Sequence, residues 1–229
     1  MKSNTWLTAA ALSLSLGLAA CGGGKPAPAT NTTKPADNKT GSASKKAAPP
    51  KPTTAVKDSK KPEGGTAKTA KKVPVPDNWV YVYDEKKGYG FYLPEGSTGA
   101  SETVEGIDVF VASTPAPAEI AVFVLAYKDS KRTKEDLLDD AVKFLEGLGE
   151  TVKAGSLTAE GDDYALADAT TTAEDGTKSK MKILVGTDVT DNYVMIVGTD
   201  EAKFDAHKNV IDEIWGNFEM WSGGASGNS

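Results

Sequence analysis

Cysteine occurs once in this chain of 229 residues, at position 21, and histidine once, at position 207. A disulfide within the chain is therefore impossible, and Cys/His zinc sites have too few ligands to form. No Gly-x-x-x-x-Gly-Lys-Ser/Thr or Gly-x-Gly-x-x-Gly element is present to cradle a nucleotide, and no Gly-x-Ser-x-Gly elbow to expose a serine nucleophile. No Asp-x-Asp-x-Asp-Gly loop supports calcium. Residues 22–76 lack Leu, Ile, Met, Phe, Tyr and Trp altogether; their only large aliphatics are Val56, Val73 and Val75. Such a segment has little apolar surface to offset the entropy of ordering it.

Charge is divided just as unevenly. Residues 22–76 carry twelve Lys against Asp37, Asp58 and Glu63, a net +9, and nine of the twelve prolines. Residues 77–229 carry thirteen Lys and Arg against twenty-nine Asp and Glu, a net −16. The acidic part excludes nucleic acid as an expected partner, since phosphate contacts need clustered cations. The basic part reads as an extended, solvated tether able to lie against an anionic surface.

What is present begins with Met1-Lys2 and an apolar stretch from Trp6 to Leu18, too short for a membrane span of about 20 residues but suited to a signal-peptide core. Two readings compete, a plain signal peptide cut after Ala20 and a lipoprotein signal cut in front of Cys21. Leu18-Ala19-Ala20-Cys21 resembles a bacterial lipobox, which favours the second. That resemblance implies a diacylglyceryl thioether on Cys21 and an N-acyl chain such as palmitate on its new amino group. Two or three chains hold a protein at a membrane where one is marginal. Gly22, where an Asp would resemble an inner-membrane retention signal, implies the outer membrane with the head facing the periplasm.

The expected organisation is a signal peptide over 1–20, a lipidated Cys21 with a disordered Lys/Pro/Ala-rich tether over 21–76, a globular domain over 77–220 and a flexible tail over 221–229. Within the domain, Trp79–Tyr83 and Tyr89–Leu93 read as a hairpin around a Gly-containing turn. Strands follow at Ile107–Ala112 and Glu119–Tyr127. In the latter, Ile120, Val122 and Val124 alternate with Ala121, Phe123 and Leu125, so both faces are apolar and both are covered. Thr133 opens a helix to about residue 148, with Asp136 placed for a reciprocal cap and Leu137, Leu138, Ala141, Val142, Leu145 and Leu148 on one stripe. Strands at Thr151–Glu160, Asp163–Ala173, Lys178–Thr187 and Tyr193–Val197 follow. A last helix is capped by Asp200, with Phe204, His207, Val210, Ile211, Ile214, Trp215 and Phe218 on its stripe. This pattern predicts an α+β fold, an antiparallel β-sheet flanked by two helices, one on each side.

The element order resembles the PsbP/DcrB-like family, an α/β/α sandwich of photosystem lumen proteins and bacterial lipoproteins. The stretches that carry the resemblance are Gly90-Phe91-Tyr92-Leu93-Pro94-Glu95-Gly96, the helix at 133–148, and Asn192-Tyr193-Val194-Met195-Ile196-Val197-Gly198 running into the final helix. It covers about 79–220 and implies an assembly or binding module without catalytic residues, so no family site is carried over.

Few residues invite chemistry. His207, at the border of its stripe, reads as a structural histidine rather than a general base, and Ser97, Ser101, Ser113, Ser130, Ser156 and Ser179 are the serines it would need. Asp139-Asp140, Asp162-Asp163 and Glu174-Asp175 are adjacent acids on a helix or in turns, poorly placed to face each other across a cleft as a glycosidase requires. Trp79, Tyr81, Tyr83, Tyr89, Phe91 and Tyr92 either line a groove or pack across strands. The reading favoured is a non-enzymatic, lipid-anchored binding or assembly module of the cell envelope, with a protein or polymer partner and no cofactor or metal. A structural spacer and an envelope hydrolase using paired carboxylates are the alternatives.

Overall fold

A computed structural model describes residues 52–63, 66–104, 106–127, 131–188 and 191–222. Ala20, Cys21, the signal segment and residues 223–229 lie outside the described residues. In chain order the elements are β1 (Thr54–Ala55), β2 (Thr66–Thr69), β3 (Trp79–Asp84), β4 (Tyr89–Pro94), β5 (Thr98–Val104), β6 (Ile107–Ser113), β7 (Ala121–Tyr127), α1 (Lys134–Gly147), β8 (Thr151–Ala154), β9 (Thr158–Glu160), β10 (Tyr164–Thr172), β11 (Lys178–Thr187), β12 (Asn192–Asp200), α2 (Glu201–Phe204), a 3-10 turn (Asp205–His207), α3 (Lys208–Gly216) and β13 (Glu219–Ser222).

The strands form two antiparallel sheets. The larger has nine strands in the order β1-β5-β6-β7-β12-β11-β10-β8, with β9 also paired to β10; the smaller has four, in the order β2-β13-β4-β3. Alternation explains why the large sheet is covered twice. On β7, Val122 and Val124 enter the main core with Ile211, Ile214 and Trp215 of α3. Phe123, pointing the other way, meets Phe144 of α1 edge-on at 5.4 Å. The expected helix on each face is therefore present.

Helix α1 follows its sequence closely. The Thr133 hydroxyl accepts from Asp136 N at 3.1 Å while the Asp136 carboxylate accepts from Thr133 N at 3.0 Å, a reciprocal capping box. Leu137, Ala141 and Leu145 are buried against the sheet. The last helix is less regular than its stripe implies. It breaks at the 3-10 turn, Phe218 lies beyond it, and Asp200 stands at the N-cap without a side-chain cap bond. β7 begins at Ala121 rather than Glu119, because Glu119 takes a left-handed φ of 47°, which ends the extended run. Thr151–Glu160 is two short strands, both paired to β10.

The small sheet packs over the same face of the large one as α3. Between them Phe218 is ringed by Tyr89, Phe91, Tyr164 and Tyr193 at centroid distances of 6.0, 6.3, 6.3 and 5.9 Å. The sequence reading does not anticipate this second sheet: the β3–β4 hairpin leaves the main sheet and takes β13 as its partner.

Two expected boundaries are corrected. The tether does not extend to residue 76, because residues 52–63 and 66–76 lie across the domain as a strap. Thr54 and Ala55 pair with Gly99 and Thr98, Ser59 N donates to Tyr81 O at 2.8 Å, and β2 adds to β13. Ala70 N then donates to Phe218 O at 2.9 Å, and Lys71 N and Lys72 N both donate to Gly216 O. The strap contributes little apolar surface of its own. Its order comes from backbone pairing to sheet edges already formed and from lysines meeting the acidic head. The tail likewise does not begin at 221: Trp221 is buried, and Trp221 N donates to Gly88 O at 2.9 Å.

Candidate functional site

Period-2 alternation sends Val80 and Val82 of β3 inward and Tyr81 and Tyr83 outward, while Trp79 at the start of the strand packs against the core. On β4, Phe91 and Leu93 face inward, and Tyr92 stands opposite Tyr81 on the outer face. The aromatic cluster thus divides: Tyr89 and Phe91 are core, Trp79 is half-buried against the core, and Tyr83 and Tyr92 are half-buried on the outer face. Tyr81, although outward, is buried because Trp221 and the strap cover it.

The outer face gathers its polar groups at one point. In the ladder Glu219 of β13 lies opposite Gly90, and Tyr81 leans across that glycine. Its hydroxyl donates to Glu219 Oε2 at 2.8 Å and accepts from Trp221 Nε1 at 3.2 Å. Lys61 of the strap places its Nζ 2.6 Å from Glu219 Oε1, and 5.7 and 5.8 Å from the ring centroids of Tyr81 and Trp221. The Glu219 side chain is only 6% exposed, whereas that of Lys61 is 47% exposed. Burial, reinforced by the hydrogen bond and charge of Glu219, pushes the Tyr81 phenol well above its ordinary range. It therefore remains a donor and is unsuited to exchange protons at neutral pH.

A second cluster holds the other end of the strap. Lys68 Nζ lies 2.9 Å from Asp163 and 3.0 Å from Asp188, and its hydrogen bonds to Asp163 and Asp188 raise its pKa further. The Tyr164 hydroxyl donates to Lys68 O at 2.6 Å and accepts from Met220 N at 3.1 Å.

The adjacent acids read from the sequence do not assemble into opposed pairs. Asp140 meets Arg132, Asp163 meets Lys68, and Asp175 accepts from Thr177 N at 2.9 Å within its own turn. His207 ends the 3-10 turn, half-buried. The Ser97 hydroxyl donates to Pro94 O at 2.6 Å. Among the described residues no group of three His, Cys, Asp or Glu side chains is placed to hold a metal. Glu219, Lys61 and Trp221 escaped the sequence reading. The available signal was the apolar content of Phe218, Met220 and Trp221 beyond the last helix, where Glu219–Ser222 form a four-residue strand beside Gly223-Gly224.

No family model matches the chain, and no curated protein matches it. Solved structures do. The solution structure of cyanobacterial PsbP (CyanoP) from Synechocystis sp. PCC 6803 superposes with a TM-score of 0.51 at 17% identity, over 64% of this chain and 95% of that one. A Bacteroides thetaiotaomicron VPI-5482 protein gives 0.42 at 15% identity, over 63% of this chain and 49% of that one. LpqN, involved in cell envelope biogenesis of Mycobacterium tuberculosis, gives 0.37 at 16% identity, over 69% and 86%. The first of these establishes a PsbP-like fold for the head; at such identities the likeness concerns fold alone.

Proposed function

We propose that this is a lipid-anchored cell-envelope protein whose PsbP-like head is a non-catalytic binding or assembly module. The observation that carries the reading is Leu18-Ala19-Ala20-Cys21, the chain's only cysteine, standing after an apolar stretch and ahead of a folded head whose first strand begins at Thr54. The head's polar chemistry supports binding over turnover. Glu219 faces Lys61, Asp163 and Asp188 face Lys68, and Asp140 faces Arg132, so these acids meet cations rather than a second acid across a cleft. Gly22 after the cysteine supports an outer-membrane address facing the periplasm.

Intact-mass analysis of the native protein tests the anchor. The expected result is a mature chain beginning at Cys21 and carrying diacylglycerol and an N-acyl group, with Cys21→Ser moving the protein to the soluble fraction. An unmodified thiol or a different mature N-terminus defeats the anchor. Cross-linking in the native envelope tests the module: a reproducible protein or polymer adduct of the head is expected, and its absence favours a spacer.

A further inference from the structure

We propose that Glu219, Tyr81 and Trp221 form a binding site for a primary ammonium group, filled at rest by Lys61 of the strap and able to take an exogenous primary ammonium once Lys61 is absent. The proposal is independent of the anchor.

The walls and the occupant come from different parts of the chain. Tyr81 belongs to β3, Glu219 and Trp221 to β13, and Gly90 of β4 leaves the space through which the Tyr81 ring reaches the carboxylate. None of these residues lies in the strap. The head holds them on one side: Trp221 N donates to Gly88 O, and the neighbouring Met220 N to the Tyr164 hydroxyl. β2 of the strap pairs with β13 on the other side and stays in place when only the Lys61 side chain is removed. The occupant is a single side chain, 47% exposed, from a segment held by short pairings.

The chemistry of the walls selects a compact cation. One Glu219 oxygen is taken by the Tyr81 hydroxyl and the other meets Nζ at 2.6 Å. Two ring faces stand 5.7 and 5.8 Å from the same nitrogen. A carboxylate buried at 6% exposure favours a cation beside it, because an uncompensated buried charge is costly. A primary ammonium donates to the carboxylate while its charge rests against the rings.

That ammonium has two sources, a lysine on an extended polypeptide or a free alkylamine. The strap shows how a polypeptide presents it: Lys61 lies between β1 and β2 and only its side chain enters the site, reaching Glu219 Oε1.

The test uses the whole mature sequence with Cys21→Ser, read by tryptophan fluorescence against sodium chloride of equal ionic strength. Lys61→Ala is expected to bind n-butylammonium saturably, at least tenfold more tightly than the Lys61-containing protein, and Lys61→Ala with Glu219→Gln to lose that binding. Because β2 keeps its place on β13 in these variants, Nα-acetyl-lysine N-methylamide, which carries a lysine without a strand, separates the sources. Tenfold tighter binding than n-butylammonium supports a lysine of a polypeptide; equal or weaker binding supports the free amine. Thermal melting checks that each variant is folded, and Lys61→Met, which keeps the apolar stem, replaces Lys61→Ala if the latter is not. Equal responses with and without Lys61, or an undiminished response after Glu219→Gln, overturn the proposal.

Discussion

The Tyr81 hydroxyl occupies the space where residue 90 would carry a side chain: a Cβ built on Gly90 falls 2.1 Å from that oxygen and 2.6 Å from the ring carbon bearing it. Gly90 has no left-handed φ, so the requirement is steric. The ring cannot withdraw without breaking its bonds to Glu219 and Trp221. Gly90→Ala should therefore destabilise the head by about 1–3 kcal/mol, the usual range for overpacking a filled site. Urea unfolding checks this, and an unchanged midpoint would mean that Tyr81 moves freely.

Tyr164 joins three elements through one oxygen. It donates to Lys68 O of β2 and accepts from Met220 N of β13, while its ring meets Phe218. Tyr164→Phe keeps the ring but strands a buried N–H and a carbonyl. The expected loss is about 1–3 kcal/mol, the cost of leaving such groups unpaired. Hydrogen exchange should show the Met220 amide losing protection before the amides of β12.

The strap makes a sharper claim about where the domain begins. A chain starting at Pro52 should fold like the longer protein. One starting at Asp77 should be less stable, because the backbone pairings of β1 and β2 and the Lys61–Glu219 contact are all lost. It also bares the edge of β13, a template for pairing between chains. Denaturant unfolding and size-exclusion chromatography compare the two. Matching midpoints and elution would show that the strap contributes nothing to the fold.

Why the strap was illegible and α1 was not follows from what each depends on. The Thr133–Asp136 cap and the stripe at Leu137, Ala141 and Leu145 are local, written within one helix's length. The double-sided apolar strands β7 and β12 announced two covering layers for the same reason. The strap buries little of its own; Val56 and Ala70 are only partly buried against the core. It orders because distant strands offer it backbone partners and acids, and composition cannot report such long-range pairing. The second sheet was hidden likewise, since β4 finds β13 only after the large sheet has brought the chain back. The ammonium site inherits that difficulty: Lys61, Tyr81 and Glu219 share no local pattern.

Glu150 provides a test of electrostatics with the sign worked out. Burial pushes its carboxyl above the ordinary value of 4.5; the Thr171 hydroxyl opposes this, and the charge of Asp175 adds to it. The folded state therefore binds this proton more tightly than the unfolded state does, and stability falls as pH rises from 4.5 through the raised folded value. Glu150→Gln removes the ionisation. It should match the unsubstituted protein at acid pH and become the more stable of the two as pH rises through that window. Urea midpoints from about pH 3 to about pH 8 measure the difference. If Glu150→Gln were instead the less stable protein at neutral pH, the ionised carboxylate would be stabilising the fold, and the direction argued from its burial would be wrong.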